Sequence, residues 1–197
     1  MPRSGLPILG LMLCLMLGVM LGLMLGAVTA SAEPRWAALD APGRIALMRH
    51  ALAPGTGDPV RFRLGDCSTQ RNLDARGRQQ AQRIGAALRA AGIAFDRVLT
   101  SQWCRCRDTA QLLDIGAVED FAPLNSFFRD SSAGPSQTEA LRRFLAGRAP
   151  GAPLMLVTHQ VNITALTGVF PRSGEVIIIE VDPEGAVTVV DRVLIDP

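Results

Sequence analysis

The sequence contains no tyrosine and only two histidines among its 197 residues, and all 20 of its basic residues are arginine. The lack of lysine and tyrosine excludes a Schiff-base lysine, a P-loop lysine and a catalytic tyrosine. Two histidines are too few for an all-histidine metal site. The arginines are nearly balanced by 18 acidic residues, which gives a formal charge of +2. Non-specific nucleic-acid binding requires a larger basic excess, so we expect no nucleic-acid partner.

The first 32 residues differ in composition from the rest of the chain. Residues 6–28 are apolar and uncharged, Arg3 precedes them, and Ala-Ser-Ala follows at 30–32. This order is typical of a secretory signal peptide, so we predict cleavage after residue 32 and a domain at 33–197. The alternative is a retained membrane anchor, because an apolar run of this length spans a bilayer of about 30 Å. We expect export to the periplasm, or an anchored domain outside the cytoplasm. A membrane partner is expected only if the segment is retained.

Three cysteines follow this segment, namely Cys67, Cys104 and Cys106. In an oxidising compartment, three cysteines form one disulfide and leave one free thiol. We predict a disulfide between Cys67 and either Cys104 or Cys106. The C-x-C spacing differs from the C-x-x-C redox motif, and a zinc site would lack further ligands. We therefore expect neither a metal nor another cofactor.

Short apolar runs alternate with amphipathic segments along the rest of the chain. The apolar runs predict strands, and the apolar spacing of the other segments predicts helices. Asp74 is expected to cap the first helix, and Ser136 to Glu139 form a capping-box pattern before the third. The predicted strands are at 44–50, 96–100, 118–122 and 154–158, and the predicted helices at 74–91, 103–114, 136–148 and 161–167.

A C-terminal hairpin completes the predicted fold. Residues 175–181 and 186–194 flank an Asp-Pro-Glu-Gly turn sequence, which indicates two antiparallel strands. The preceding alternation of strands and helices favours a mostly parallel sheet with helices on both faces. The predicted fold class is therefore an α/β three-layer sandwich with a C-terminal antiparallel hairpin.

Polar side chains follow three of the predicted strands at their carboxyl ends. Arg49 and His50 end the first strand, Ser101 and Arg105 follow the second, and His159 follows the fourth. In mostly parallel sheets, ligands bind beyond this edge. Guanidinium groups bind phosphate bidentately, and an imidazole held among them can accept a phosphoryl group. Either histidine alone could be structural, but two histidines beside arginines at strand ends favour a phosphate-handling site.

Four segments, in this order along the chain, together resemble one known family. They are Leu47-Met48-Arg49-His50-Ala51, then Leu73 with Gly77 and Gln80-Ala81, then Ser101 with Arg105 and Thr109-Ala110, and finally Val157-Thr158-His159. They are similar to the Arg-His-Gly signature, the helix after it, the Ser-x-x-x-Arg-x-x-x-Thr-Ala segment and the second histidine strand of the histidine phosphatase (phosphoglycerate mutase-like) superfamily. The resemblance extends over residues 44–181.

The resemblance implies a metal-independent phosphomonoester hydrolase that forms a phosphohistidine on His50. It implies that Arg49, Arg105 and His159 bind the phosphoryl oxygens and complete the catalytic set. Arg107 is expected to face solvent, because helix residues two apart point in different directions. Exported members that resemble this chain include lipopolysaccharide-core heptose phosphate phosphatases. The expected substrate is therefore a phosphorylated small molecule or envelope glycan.

The sequence departs from the family pattern beside the nucleophile and at the proton donor. Ala51 stands where the signature has glycine. One branch of the family has an acid after the second histidine, where this chain has Gln160. The other has a glutamate where this chain has Leu-Asn-Ser at 124–126, so Asp130 is the nearest candidate proton donor unless it is only a surface loop residue. These departures leave one alternative open, an inactive or weakly active domain that binds phosphorylated ligands. A retained N-terminal anchor would give a second alternative, a membrane-tethered interaction domain.

Overall fold

A computed structural model of the chain describes residues 36–197. The predicted signal peptide or anchor at 1–32 lies outside the described residues. Within residues 36–197, none of the helices is both long enough and apolar enough to cross a membrane.

The described residues form six strands and four α-helices, joined by loops and short 3-10 turns. The strands are β1 (Ile45–Arg49), β2 (Arg97–Thr100), β3 (Val118–Asp120), β4 (Leu154–Thr158), β5 (Val176–Val181) and β6 (Val187–Val193). The helices are α1 (Ala75–Ala90), α2 (Cys104–Leu113), α3 (Gly134–Ala146) and α4 (Gln160–Thr167). The predicted helices and strands agree with these bounds to within two residues at each end.

All six strands belong to one sheet, in the order β3-β2-β4-β1-β5-β6. The first four strands along the chain run parallel to one another, whereas β5 is antiparallel to β1, and β6 is antiparallel to β5. The predicted mostly parallel sheet with a C-terminal hairpin is therefore confirmed. Because Arg49 pairs with Thr158 across β1 and β4, His50 and His159 leave the sheet side by side.

Helices cover both faces of the sheet, and alternate strand residues face opposite layers. On one side, Ala46 and Met48 of β1 belong to a core cluster with residues of α1 and α2. On the other side, Ile45 and Leu47 belong to a second cluster with residues of α3 and α4. The adjacent strands β1 and β4 consist almost entirely of apolar residues, as expected for strands buried on both faces. This arrangement is the predicted three-layer sandwich.

Helix α1 packs closely against the residues that follow His50. Its first turn is capped as predicted, since the Asp74 carboxylate accepts the backbone N–H of Gly77 at 2.7 Å. A Cβ atom on Gly77 would lie 1.9 Å from the Leu52 carbonyl oxygen. Only glycine allows this approach without a backbone shift. Gly77 thus lets α1 support the segment that carries the predicted nucleophile.

The predicted capping box before α3 is wrong. The helix begins earlier, at Gly134, with no side-chain cap. Pro135 lies in the first turn, where its missing N–H needs no partner and its φ suits a helix. The Ser136 hydroxyl donates instead to the Ala133 carbonyl at 3.1 Å. Glu139 lies on the outer surface beside two arginines of the same helix.

Candidate active site

The carboxyl ends of β1 and β4 and the start of α2 border one cavity. The four residues predicted to be catalytic, Arg49, His50, Arg105 and His159, all line it. Loop 51–72 and the segment after β3 complete its wall. The structure therefore brings together side chains that lie more than 100 residues apart in the sequence.

His50 is the first residue after β1 and is 2% exposed. Its backbone N–H donates to the Thr158 carbonyl at 2.9 Å, which holds it beside β4. Its Nδ1 lies 2.8 Å from the Ala51 carbonyl oxygen, so Nδ1 carries the proton and donates it. The Nε2 lone pair is consequently free in the neutral ring. Burial, and then the positive charge of Arg105, lowers the pKa of His50 well below its usual value and favours this nucleophilic form.

Two side chains from the helices fix the residues that follow His50. The Thr109 hydroxyl accepts the Ala51 N–H at 3.1 Å and donates to the Arg105 carbonyl at 2.7 Å. The fully buried Gln80 accepts the Leu52 N–H at 2.9 Å. Its amide also donates to carbonyls of the segment before β5 and of the C-terminal segment. The backbone beside the nucleophile is therefore held by α1 and α2 together.

Two guanidinium groups lie near His50. Arg49 donates through Nη1 to the Pro171 carbonyl at 2.9 Å. Arg105 donates through Nη1 and Nη2 to the two carboxylate oxygens of Asp58, at 2.7 Å and 3.3 Å. The Nε–H of each arginine is buried and finds no acceptor among the described residues. Both side chains line the cavity, so a phosphoryl group bound there would bring oxygen acceptors to the guanidinium groups.

His159 follows β4, with its ring centroid 5.6 Å from that of His50. Its Nδ1 lies 3.3 Å from Arg105 Nη2, and because a guanidinium only donates, Nδ1 is the acceptor. Its Nε2–H then donates to the Ser101 hydroxyl oxygen at 2.8 Å. Burial, and then the charge of Arg105, lowers the pKa of His159 well below its usual value. Both imidazoles are therefore neutral in the free site.

Asp58 is a site residue that no sequence pattern indicated. It is the one carboxylate among the described residues that line the cavity. Besides Arg105, it accepts the Trp103 indole N–H and the backbone N–H of Arg71, both at 3.1 Å. Burial alone would raise the pKa of Asp58, but the hydrogen bonds and charge of Arg105 hold it below its usual value. Asp58 is thus an ionised counter-charge.

Arg71 is the second such residue, and it adds a third guanidinium to the cavity. It donates through Nε to the Gly57 carbonyl at 2.8 Å and through Nη1 to the Ala53 carbonyl. Burial, and then the charge of Arg105, lowers the pKa of Arg71 to about 10, so it remains protonated at neutral pH. Three guanidinium groups therefore face one carboxylate, and the excess positive charge suits a phosphate dianion.

Asp130 and Arg107 lie outside the cavity lining. Asp130 is exposed, and its carboxylate accepts the Ser132 N–H at 3.1 Å to cap a 3-10 turn. This placement argues against the predicted role of Asp130 as proton donor. Arg107 forms an ion pair with Asp120 on the surface, so the expectation that it faces solvent is confirmed. No cluster of three or more potential metal-ligating side chains occurs within residues 36–197.

The segment from β1 to just beyond β3 corresponds to a known protein family. Residues 45–121 match the histidine phosphatase superfamily, branch 1. The match contains Arg49, His50 and Arg105, and the fold adds His159 from the adjacent strand. The match covers less than half of the 197-residue chain, so it shows only what residues 45–121 are similar to. No curated protein matches the chain in sequence.

Three solved structures share the fold with this chain at low sequence identity. Phosphoglycerate mutase from Bacillus anthracis str. Sterne has a TM-score of 0.57 at 15% identity, over 75% of this chain and 91% of that protein. Alpha-ribazole phosphatase from Shigella flexneri has a TM-score of 0.51 at 19% identity, over 75% and 94%. The protein histidine phosphatase SixA, complexed with tungstate, has a TM-score of 0.50 at 16% identity, over 76% and 96%. These likenesses show the phosphoglycerate mutase-like α/β fold alone.

A disulfide between Cys67 and Cys104 joins loop 51–72 to the start of α2. One of the two predicted pairings is therefore confirmed. Cys106 keeps a free, buried thiol, and burial raises the pKa of Cys106 to about 12. Because the bridged loop carries Asp58, the disulfide holds part of the cavity wall against the helix that carries Arg105.

Replacing both Cys67 and Cys104 by serine should lower the free energy of unfolding by about 3 to 4 kcal/mol. This is the loop-closure value for a bridge between residues 37 apart in the sequence. Urea denaturation followed by tryptophan fluorescence measures the change. Cys106→Ala keeps the bridge and shows the effect of losing one buried sulfur. A loss below about 1 kcal/mol in the double serine variant would contradict a stabilising role for the bridge.

In the free protein, both imidazoles should have a pKa lower than that of an ordinary histidine, because both are buried beside Arg105. With only two histidines in the sequence, NMR titration follows each ring directly. A histidine buried in its neutral form has a lower pKa folded than unfolded, so the unfolded chain binds more protons as the pH falls. Stability should therefore decrease below about pH 6.5, the unperturbed histidine pKa. A ring that titrates near 6.5 would contradict the buried, cationic surroundings described above.

Proposed function

We propose that this chain is a metal-independent phosphomonoester hydrolase of the histidine phosphatase superfamily, acting through a phosphohistidine on His50. One observation carries the proposal most strongly. A neutral His50, with Nε2 free to attack, shares one cavity with three guanidinium groups that outnumber its single carboxylate, Asp58. Phosphoryl oxygens are the acceptors that such guanidinium donors bind best.

In the first step, His50 Nε2 attacks phosphorus, and a P–N bond forms as the bond to the leaving oxygen breaks. The leaving group takes that electron pair. Arg49, Arg105 and Arg71 stabilise the charge on the transferring oxygens, and His159 completes the cavity wall beside them. In the second step, water attacks the phosphohistidine, the P–N bond breaks and phosphate is released with the protons of the water. His50 returns to its neutral form.

The proton balance of the first step restricts the leaving group. Asp58, the one carboxylate lining the described cavity, is held ionised by Arg105. A carboxylic acid is therefore not in place to protonate the leaving oxygen, and substrates with good leaving groups should react fastest. The lack of a carboxylic acid in place to protonate the leaving oxygen, together with Ala51, also favours the second candidate function, a weakly active domain that binds phosphorylated ligands.

We propose a phosphorylated small molecule or envelope glycan outside the cytoplasm as the substrate. The disulfide between Cys67 and Cys104 supports an oxidising compartment, because such bridges persist there. The signal-peptide pattern at 1–32 supports export, either as a cleaved periplasmic protein or as an anchored domain.

A phosphatase screen of the full chain tests the proposal. The panel comprises 4-nitrophenyl phosphate, phosphosugars, phosphopeptides and phosphohistidine, each with and without a chelator. We expect turnover of the aryl phosphate that the chelator leaves unchanged. Loss of turnover with the chelator would contradict metal independence. Tight phosphate binding without turnover of any compound would favour the binding domain instead.

A further inference from the structure

The phosphate-binding end of the cavity is buried, whereas its opposite end reaches solvent. His50 is 2% exposed, but Phe128, which lines the same cavity, is 55% exposed. Thr56, Ser126 and Gln160 also line it and come from three separate segments of the fold. A large apolar ring among polar side chains in a ligand cavity is typical of a subsite for a partly apolar group.

The Phe128 ring lies beside loop 51–72. The backbone N–H of Phe128 donates to the Ser126 hydroxyl at 3.3 Å. A Cβ on Gly57 would lie 3.7 Å from the ring, which places the ring against loop 51–72. The neighbouring Arg129 lies over the Phe62 ring, 5.9 Å from its centroid. The Phe128 ring thus borders the cavity on the side of loop 51–72.

Phe62 packs against Trp103, a residue that contacts the active site. It stacks on Trp103 with ring centroids 5.0 Å apart. Trp103 in turn meets His159 edge-on at 5.4 Å and donates its indole N–H to Asp58. Phe62 is thus connected through Trp103 to His159 and Asp58 of the active site.

Gln160 lines the cavity, and its amide N–H₂ is used within helix α4. The Thr164 hydroxyl donates to the Val169 carbonyl at 2.8 Å, so it must accept from the Gln160 amide N–H at 2.9 Å. This fixes the amide orientation and leaves the carbonyl oxygen Oε1 available to a ligand donor. The Thr56 hydroxyl can both donate and accept. A ligand at this end therefore contacts an apolar ring face, hydrogen-bond acceptors and a hydrogen-bond donor.

We propose that Phe128, Gln160 and Thr56 form a subsite for a carbohydrate ring that carries the phosphate. The C–H face of the sugar packs on Phe128, and its hydroxyls bond to Gln160 Oε1 and the Thr56 hydroxyl. An unsubstituted aryl group would pack on the Phe128 ring but would leave Gln160 Oε1 and the Thr56 hydroxyl without hydrogen-bond partners. The assignment rests on the proposed function, because the phosphoryl group must lie beside His50 for the sugar to reach Phe128.

Phosphonates test the subsite without turnover, because the C–P bond is not cleaved. Calorimetry compares methylphosphonate, benzylphosphonate and the phosphonate isostere of glucose 6-phosphate on the full chain. We expect the glucose analogue to bind at least about tenfold more tightly than methylphosphonate. Phe128→Ala should remove this gain and leave methylphosphonate affinity unchanged. Gln160→Ala should weaken the glucose analogue but not benzylphosphonate. Phe170→Ala, at an exposed phenylalanine outside the cavity lining, should change neither affinity.

The outcomes separate the subsite from the phosphate site. Equal wild-type affinities for the methyl and glucose phosphonates, or equal losses of both in Phe128→Ala, would overturn the subsite while the phosphate site stands. A gain for benzylphosphonate alone would overturn the carbohydrate assignment in favour of an aryl group. Failure of all three phosphonates to bind would overturn the proposed function and the subsite together.

Discussion

Turnover of 4-nitrophenyl phosphate should fall by more than about 10,000-fold when His50 is replaced by alanine. The variant loses the Nε2 atom that attacks phosphorus, and no other described side chain offers a neutral nucleophile at the same place. The arginines remain, so the affinity for methylphosphonate should change only a few-fold. Steady-state kinetics and calorimetry on the same preparations separate the two effects.

Trapping the intermediate provides the control for this variant. Rapid quenching of the wild type in alkali with labelled substrate should leave an acid-labile label on His50, and His50→Ala should carry none. Phe170→Ala, altered at an exposed site outside the cavity lining, should label like the wild type. Label on Ser101, or activity of His50→Ala within tenfold of the wild type, would contradict the role of His50.

Arg105→Gln should reduce both turnover and stability. Removing a charged donor to the transferring oxygens should lower kcat/KM by about 100- to 1,000-fold. The variant also leaves the Asp58 carboxylate, whose side chain is 6% exposed, without its cation. Breaking such a buried pair costs about 3 to 5 kcal/mol, because an unpaired charge remains in the interior. Kinetics with the aryl phosphate and urea denaturation measure the two losses.

A double variant distinguishes the two roles of Arg105. Asp58→Asn combined with Arg105→Gln removes both charges, so it should recover part of the lost stability but none of the lost turnover. Arg107→Gln breaks the surface pair with Asp120 and serves as the matched control, with a change below about 1 kcal/mol and unchanged turnover. If the double variant is less stable than Arg105→Gln, the unpaired charge of Asp58 does not explain the loss of stability. If kcat/KM of Arg105→Gln stays within threefold of the wild type, Arg105 does not have the proposed catalytic role.

The parts of the site that lie on regular elements could be predicted from the sequence. His50 and His159 end apolar runs that are buried on both faces, so strand periodicity located them. Arg105 lies in the first turn of a helix that directly follows β2. The parallel arrangement of the strands then places their carboxyl ends at one edge, which is why these residues meet.

Asp58 and Arg71 could not be located in this way. Loop 51–72 has no apolar periodicity, and its position depends on partners distant in sequence, such as Arg105 and Trp103 for Asp58. The bridge to Cys104 was only one of two pairings open to Cys67. The capping-box prediction was wrong for a related reason. Helix α3 begins before Ser136, with Pro135 in its first turn, so the local motif does not mark the start of the helix. Local sequence patterns therefore predicted the helices and strands, whereas the position of loop 51–72 in the site depends on contacts with residues distant in sequence.

The antiparallel placement of β5 affects when the site can form during synthesis. Because β5 runs opposite to β1, the segment before β5 lies beside the carboxyl end of β1. There the Pro171 carbonyl accepts from Arg49 across 122 residues of sequence, and the Gly174 N–H bonds to the carbonyls of Arg49 and His50. A nascent chain that exposes His50 and Arg105 still lacks these partners. The pocket is therefore completed only after β5 has been made, and such non-local pairing makes its formation slow.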